Sequence, residues 1–78
     1  MWLRYKNKLI NISNVCSIYK EDSFWKKSEY RIGFTFNFHH REDYPYFDFF
    51  LFSDEIIRDL CFEKIHEAIQ NGDRICDL

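Results

Sequence analysis

Between residues 30 and 38 the chain reads YRIGFTFNF, with Tyr30, Ile32, Phe34, Phe36 and Phe38 alternating with Arg31, Gly33, Thr35 and Asn37. A period of two is that of a strand with one apolar and one polar face. Five large apolar residues on one side need a cover. Residues 46–52 (YFDFFLF) resume the alternation. Taking Asp48 as solvent-facing assigns Phe47, Phe49 and Leu51 to the core, and Tyr46, Phe50 and Phe52 to the outside with it. Pro45 suits the start of that strand, where its missing N–H costs no ladder bond.

Upstream, residues 2–6 set Trp2, Arg4 and Lys6 against Leu3 and Tyr5, and a tight turn at Asn7 and Lys8 leads into residues 9–12. Ser13 and Asn14 interrupt the pattern because their side chains compete for local backbone groups. Residues 15–20 are rich in β-branched and aromatic side chains, and their inward set is either Val15, Ser17 and Tyr19 or Cys16 and Ile18. Residues 21–28 break the alternation and form a hairpin loop. Phe24 and Trp25 there fold back over the sheet edge or supply a loop contact.

Ser53 is suited to cap a helix, with Asp54 and Glu55 against the positive end of its dipole, and Phe52 and Ile57 have the spacing of a hydrophobic staple. At 100° per residue Ile57, Cys61, Ile65, Ala68 and Ile69 share one arc. Asn71-Gly72 ends the helix, and residues 73–78 form a short strand or a docked tail. The predicted fold is α+β: a single antiparallel sheet of four to five strands (about 2–6, 9–12, 15–20, 29–38 and 46–52) with one C-terminal helix (about 54–71) packed on one face.

Seventy-eight residues support one domain, and a chain of this size buries only about 60% of the surface its unfolded form exposes. Aromatic residues, 21% of the chain, supply the means to build a small core. Three cysteines at no recognised spacing, and no apolar segment of signal-peptide form, predict a reduced, cytoplasmic setting. No apolar run approaches the roughly 20 residues of a membrane span. The net charge of −2 conceals an asymmetry. Residues 1–41 hold eight Lys or Arg against three acids, and residues 42–78 hold three against ten.

Candidate chemistry is sparse. His39, His40, Glu42 and Asp43 are potential metal ligands, but adjacent histidines on an extended chain point to opposite sides, so no metal or other cofactor is predicted. Nothing local orders a nucleophile, a base and an orienting group, and no glycine-rich phosphate loop is present. Enzymatic activity is therefore not expected. Recognition is: the residues expected on the outer sheet surface, Trp2, Arg4, Arg31, Asn37, Tyr46 and Phe50, are the types that dominate protein interfaces. A protein partner, or a second copy in a homodimer, is the first expectation. Stacking of nucleic-acid bases on the same rings is the alternative, disfavoured by a pI near 5.8.

The opening pattern W-x-x-Y-x-N-x-L-I-N-I-x-N-V, carried by Trp2, Tyr5, Asn7, Leu9, Ile10, Asn11, Ile12, Asn14 and Val15, resembles the start of small uncharacterised bacterial and phage proteins of similar length. It implies strands running into one helix and a short tail, and transfers no functional residues. Small size and aromatic richness without catalytic groups are also similar to phage-encoded inhibitors of host defence, anti-CRISPR proteins among them, which act by occluding a protein surface.

Overall fold

The computed structural model describes residues 1–22, 26–36 and 47–78. Phe24, Trp25, Asn37, Phe38, His39, His40, Pro45 and Tyr46 lie outside them. The architecture is α+β, with β1 (Trp2–Tyr5), β2 (Lys8–Asn11), β3 (Val15–Asp22), β4 (Tyr30–Phe36), β5 (Phe47–Phe52), α1 (Glu55–Asn71) and β6 (Ile75–Asp77).

The strands form two three-stranded sheets, not one continuous sheet. The division falls at Ile12–Asn14, where a 3-10 turn is capped by the Asn11 side chain accepting from the Ser13 amide at 3.0 Å. That local bond ends β2 before the chain enters β3. In the first sheet, ordered β2-β1-β6, the 73–78 tail returns as a strand parallel to β1. In the second, β3, β4 and β5 form an antiparallel meander.

Leu3 and Ile10 from the first sheet, Ile32, Phe34, Phe50 and Phe52 from the second, and Ile65 and Ala68 from α1 meet in one core. Tyr5 joins the two sheets, its ring centroid 5.2 Å from that of Phe50 and 4.6 Å from that of Phe52. The inward face predicted for β4 is observed at Ile32 and Phe34, both fully buried.

The phase of β5 is the reverse of the expected one. Phe50 and Phe52 are buried, whereas Phe47 and Leu51 are exposed. Asp48 lies opposite Phe34 on the core-facing side. It is neutralised at the rim by Lys8 Nζ at 2.7 Å and accepts the Phe49 amide at 2.7 Å. A one-residue change of phase carries every side chain of a strand to the other face, and this one salt bridge permits it.

The helix begins one residue later than expected. Asp54 is the cap, its side chain accepting from the amides of Ile56 and Ile57. Its buried face consists of Arg58, Ile65 and Ala68 with Cys61 and Phe62 beside them, while Ile57, Leu60 and Ile69 are exposed, so the expected apolar arc is buried only in part. Arg58 sets this rotation: it donates to Asp59, Asp22 and the carbonyls of Glu21 and Arg31. Gly72 closes the helix in the left-handed region at φ 71°.

Candidate recognition surface on the outer sheet face

The outer face of the β3-β4-β5 sheet is a three-by-three grid set by register. Its rows are Ser17, Thr35 and Phe47; Tyr19, Gly33 and Phe49; and Glu21, Arg31 and Leu51. β3 acquires its phase from an irregularity between Val15 and Ser17. Because of it both Val15 and Ile18 pack on the core, leaving Ser17, Tyr19 and Glu21 outside. Neither of the two inward sets open from the sequence is the observed one, because a bulge breaks strict alternation.

Gly33 occupies the centre of the grid. A Cβ built there would fall 2.4 Å from Tyr19 Cζ, so the Tyr19 ring lies directly over the glycine. Arg31 stacks its guanidinium over the Phe49 ring, 4.5 Å from the centroid, and Lys8 approaches the same ring at 5.3 Å. Glu21 and Glu29 flank the guanidinium at 3.6 and 3.5 Å. Phe47 and Leu51 complete the face with 59% and 42% of their surface exposed. Between Tyr19, Gly33, Arg31, Phe47 and Phe49 lies a shallow depression of about 300 Å³.

The outer edge of β5 is closed to strand pairing. Tyr5 Oη donates to the Leu51 carbonyl at 2.9 Å, and Lys8 Nζ donates to the Phe49 carbonyl at 3.1 Å. Together with the Asp48 bond to the Phe49 amide, these side chains occupy backbone groups that an incoming strand would use.

The predicted site residues are only partly brought together. Arg31 lies on this face. Trp2 and Arg4 are exposed as expected, but on the outer face of the other sheet, where they line a second depression with Leu9 and Ile75. The two depressions share no lining residue. Arg4 is committed there to Asp77, whose carboxyl is held below its ordinary value by the Arg4 hydrogen bond. Phe50, expected to be an exposed contact, is 1% exposed and belongs to the core, its ring edge-on to Phe34 at 4.9 Å. Asn37, Tyr46, Phe24, Trp25, His39 and His40 lie outside the described residues. Tyr19, Phe47, Phe49 and Leu51 are the members that sequence reading missed, and Gly33 in mid-strand is the signal that could have pointed to a close ring approach.

Among the described residues no group of three or more His, Cys, Asp or Glu side chains is placed to hold a metal. Cys61 and Cys76 are partly or fully buried, and burial pushes both thiols up from their ordinary value, which disfavours the reactive thiolate. No helix among the described residues is long and apolar enough to cross a membrane. Comparison with protein-family models, curated proteins and solved structures finds no match.

Proposed function

We propose that the chain is a non-enzymatic protein-recognition module that binds through the outer face of the β3-β4-β5 sheet and acts by occluding its partner's surface. The observation that carries this reading is the set of exposed Phe47 and Leu51 around the Arg31-Phe49 stack. Aromatic side chains and arginine on a flat, pre-arranged surface lose little conformational freedom on binding, and they concentrate interface energy. Mixed charge at Arg31 and Glu21 suits a partner with both signs, not a polyanion.

A second reading has its own support. The Tyr19 ring laid over Gly33 beside Arg31 and Phe49 has the form of a base-stacking platform. The two are separated by capture on the immobilised chain from an extract of the encoding organism, alongside fluorescence anisotropy with mixed single-stranded DNA and RNA at low salt. A protein retained by the native chain and lost with Phe47→Asp supports the first reading. Nucleic-acid binding lost with Tyr19→Ala, with no protein retained, replaces it with the second.

A further inference from the structure

The two edges of the β3-β4-β5 sheet are treated in opposite ways. β5 is covered by Tyr5, Lys8 and Asp48. β3, eight residues long, is the other edge, and among the described strands it has a neighbour only in β4. The remaining edge strands, β2 and β6, have four and three residues.

Which backbone groups of β3 point outward follows from Arg58. Its Nη1 lies 3.1 Å from the Glu21 carbonyl and 3.3 Å from the Arg31 carbonyl. One nitrogen reaches both only where Glu21 and Arg31 form a hydrogen-bonded pair, with their carbonyls between the strands. Glu21, Tyr19 and Ser17 therefore bond toward β4, and the N–H and C=O groups of Ile18, Lys20 and Asp22 point to the open side.

Charged side chains on an edge ordinarily guard it, but here they are drawn inward. Lys20 Nζ is 3.7 Å from Asp59 and 5.5 Å from the Phe62 ring centroid, and Asp22 accepts from Arg58 at 3.1 Å. On the other face Tyr19 leans over Gly33, away from the edge. Among the described residues, no side chain named above is drawn across the edge.

We propose that two copies of this chain join antiparallel through β3, about a two-fold axis at Tyr19, into one continuous sheet. In that register Ile18 faces Lys20 and Ser17 faces Glu21 of the second copy, so no like charges are opposed. An axis at Lys20 would oppose two lysines, and an axis at Ile18 would run into the irregularity at Cys16. The dimer would place the two outer faces side by side, which goes beyond the recognition function proposed for each.

Tyr19 meets its counterpart as a non-hydrogen-bonded pair, with Cα atoms about 4.5 Å apart, within disulfide range. The test is Tyr19→Cys in a Cys16→Ser background, oxidised with diamide, with Phe47→Cys in the same background as the face-to-face control. Light scattering of the native chain should approach twice the 9.7 kDa chain mass on concentration. Tyr19→Cys should convert to a covalent dimer at least tenfold faster than Phe47→Cys. Should Tyr19→Cys fold poorly, amide exchange of the native chain decides: Ile18 and Lys20 should be slowed at high concentration and released on dilution, while Tyr19 and Glu21 stay slow throughout. A strict monomer, faster cross-linking at Phe47→Cys, or Ile18 and Lys20 amides that exchange freely at every concentration would overturn the proposal.

Discussion

Tyr5 Oη donates to the Leu51 carbonyl at 2.9 Å, so the end of the first hairpin is tied directly to the outer edge of β5. The ring of the same residue sits on Phe50 and Phe52. Tyr5→Phe keeps the ring contacts and removes one hydrogen bond to an exposed carbonyl, so it should cost about 0.5–1 kcal/mol. Urea denaturation would show a lower midpoint with an unchanged slope. Concentration-dependent light scattering should also rise, because the Leu51 carbonyl becomes available to other chains.

Arg58 is the one charged residue in the described core, and it closes α1 onto the ends of β3 and β4. Arg58→Ala removes the buried donor that the Glu21 and Arg31 carbonyls and the Asp22 carboxylate share, leaving the two carbonyls only their ladder bonds. Because Asp22 and Asp59 retain contact with water, the cost expected of a broken buried ion pair is reduced to about 2–3 kcal/mol. Arg58→Met, which keeps the volume of the buried stem, should recover part of that loss.

The same contact makes a pH prediction. The Arg58 hydrogen bond, opposed in part by burial, holds the Asp59 carboxyl below its ordinary value of 3.8. A carboxyl whose pKa is lowered by folding contributes stability that is full above the unfolded value and disappears as pH falls through the folded one. The loss should therefore occur below pH 3.8. An NMR titration should place the Asp59 midpoint under that value and return it toward 3.8 in Arg58→Gln.

Gly33→Ala tests the Tyr19 lid. Its Cβ would collide with the far end of the Tyr19 ring and with no backbone atom among its nearest neighbours, so the ring can swing aside. Strand formation itself favours alanine over glycine. The fold should persist, with melting shifted by no more than a few degrees. The Tyr19 ring proton resonances should move and the depression beside Phe49 should open.

The alternation of residues 30–38 carried the inward face of β4, and the terminal Gly72 carried the end of α1, because each rests on local geometry alone. The phase of β5 was not legible. Asp48 argued for solvent on the grounds of charge, and only the arrival of Lys8 from β2 makes the core-facing rim acceptable for it. In the same way, Arg58 broke the apolar arc of the helix because its partners come from β3 and β4, more than twenty residues upstream. The recognition surface was half read: Arg31 was expected there, but the rings beside it are Phe47 and Phe49, because the strand bearing them is turned over.

The contrast between neighbouring phenylalanines tests the central claim, that β5 turns Phe50 to the core and Phe47 to a partner. Phe50→Asp should unfold the chain, since burying a carboxylate and losing the ring exceeds about 4 kcal/mol. Phe47→Asp should leave stability within about 0.5 kcal/mol of the native chain. The decisive measurement is partner retention by Phe47→Asp, made on protein shown by circular dichroism to be folded. The account predicts a folded chain that no longer retains the protein captured by the native one. A Phe47→Asp chain that unfolds, or one that retains the same partner undiminished, would contradict it.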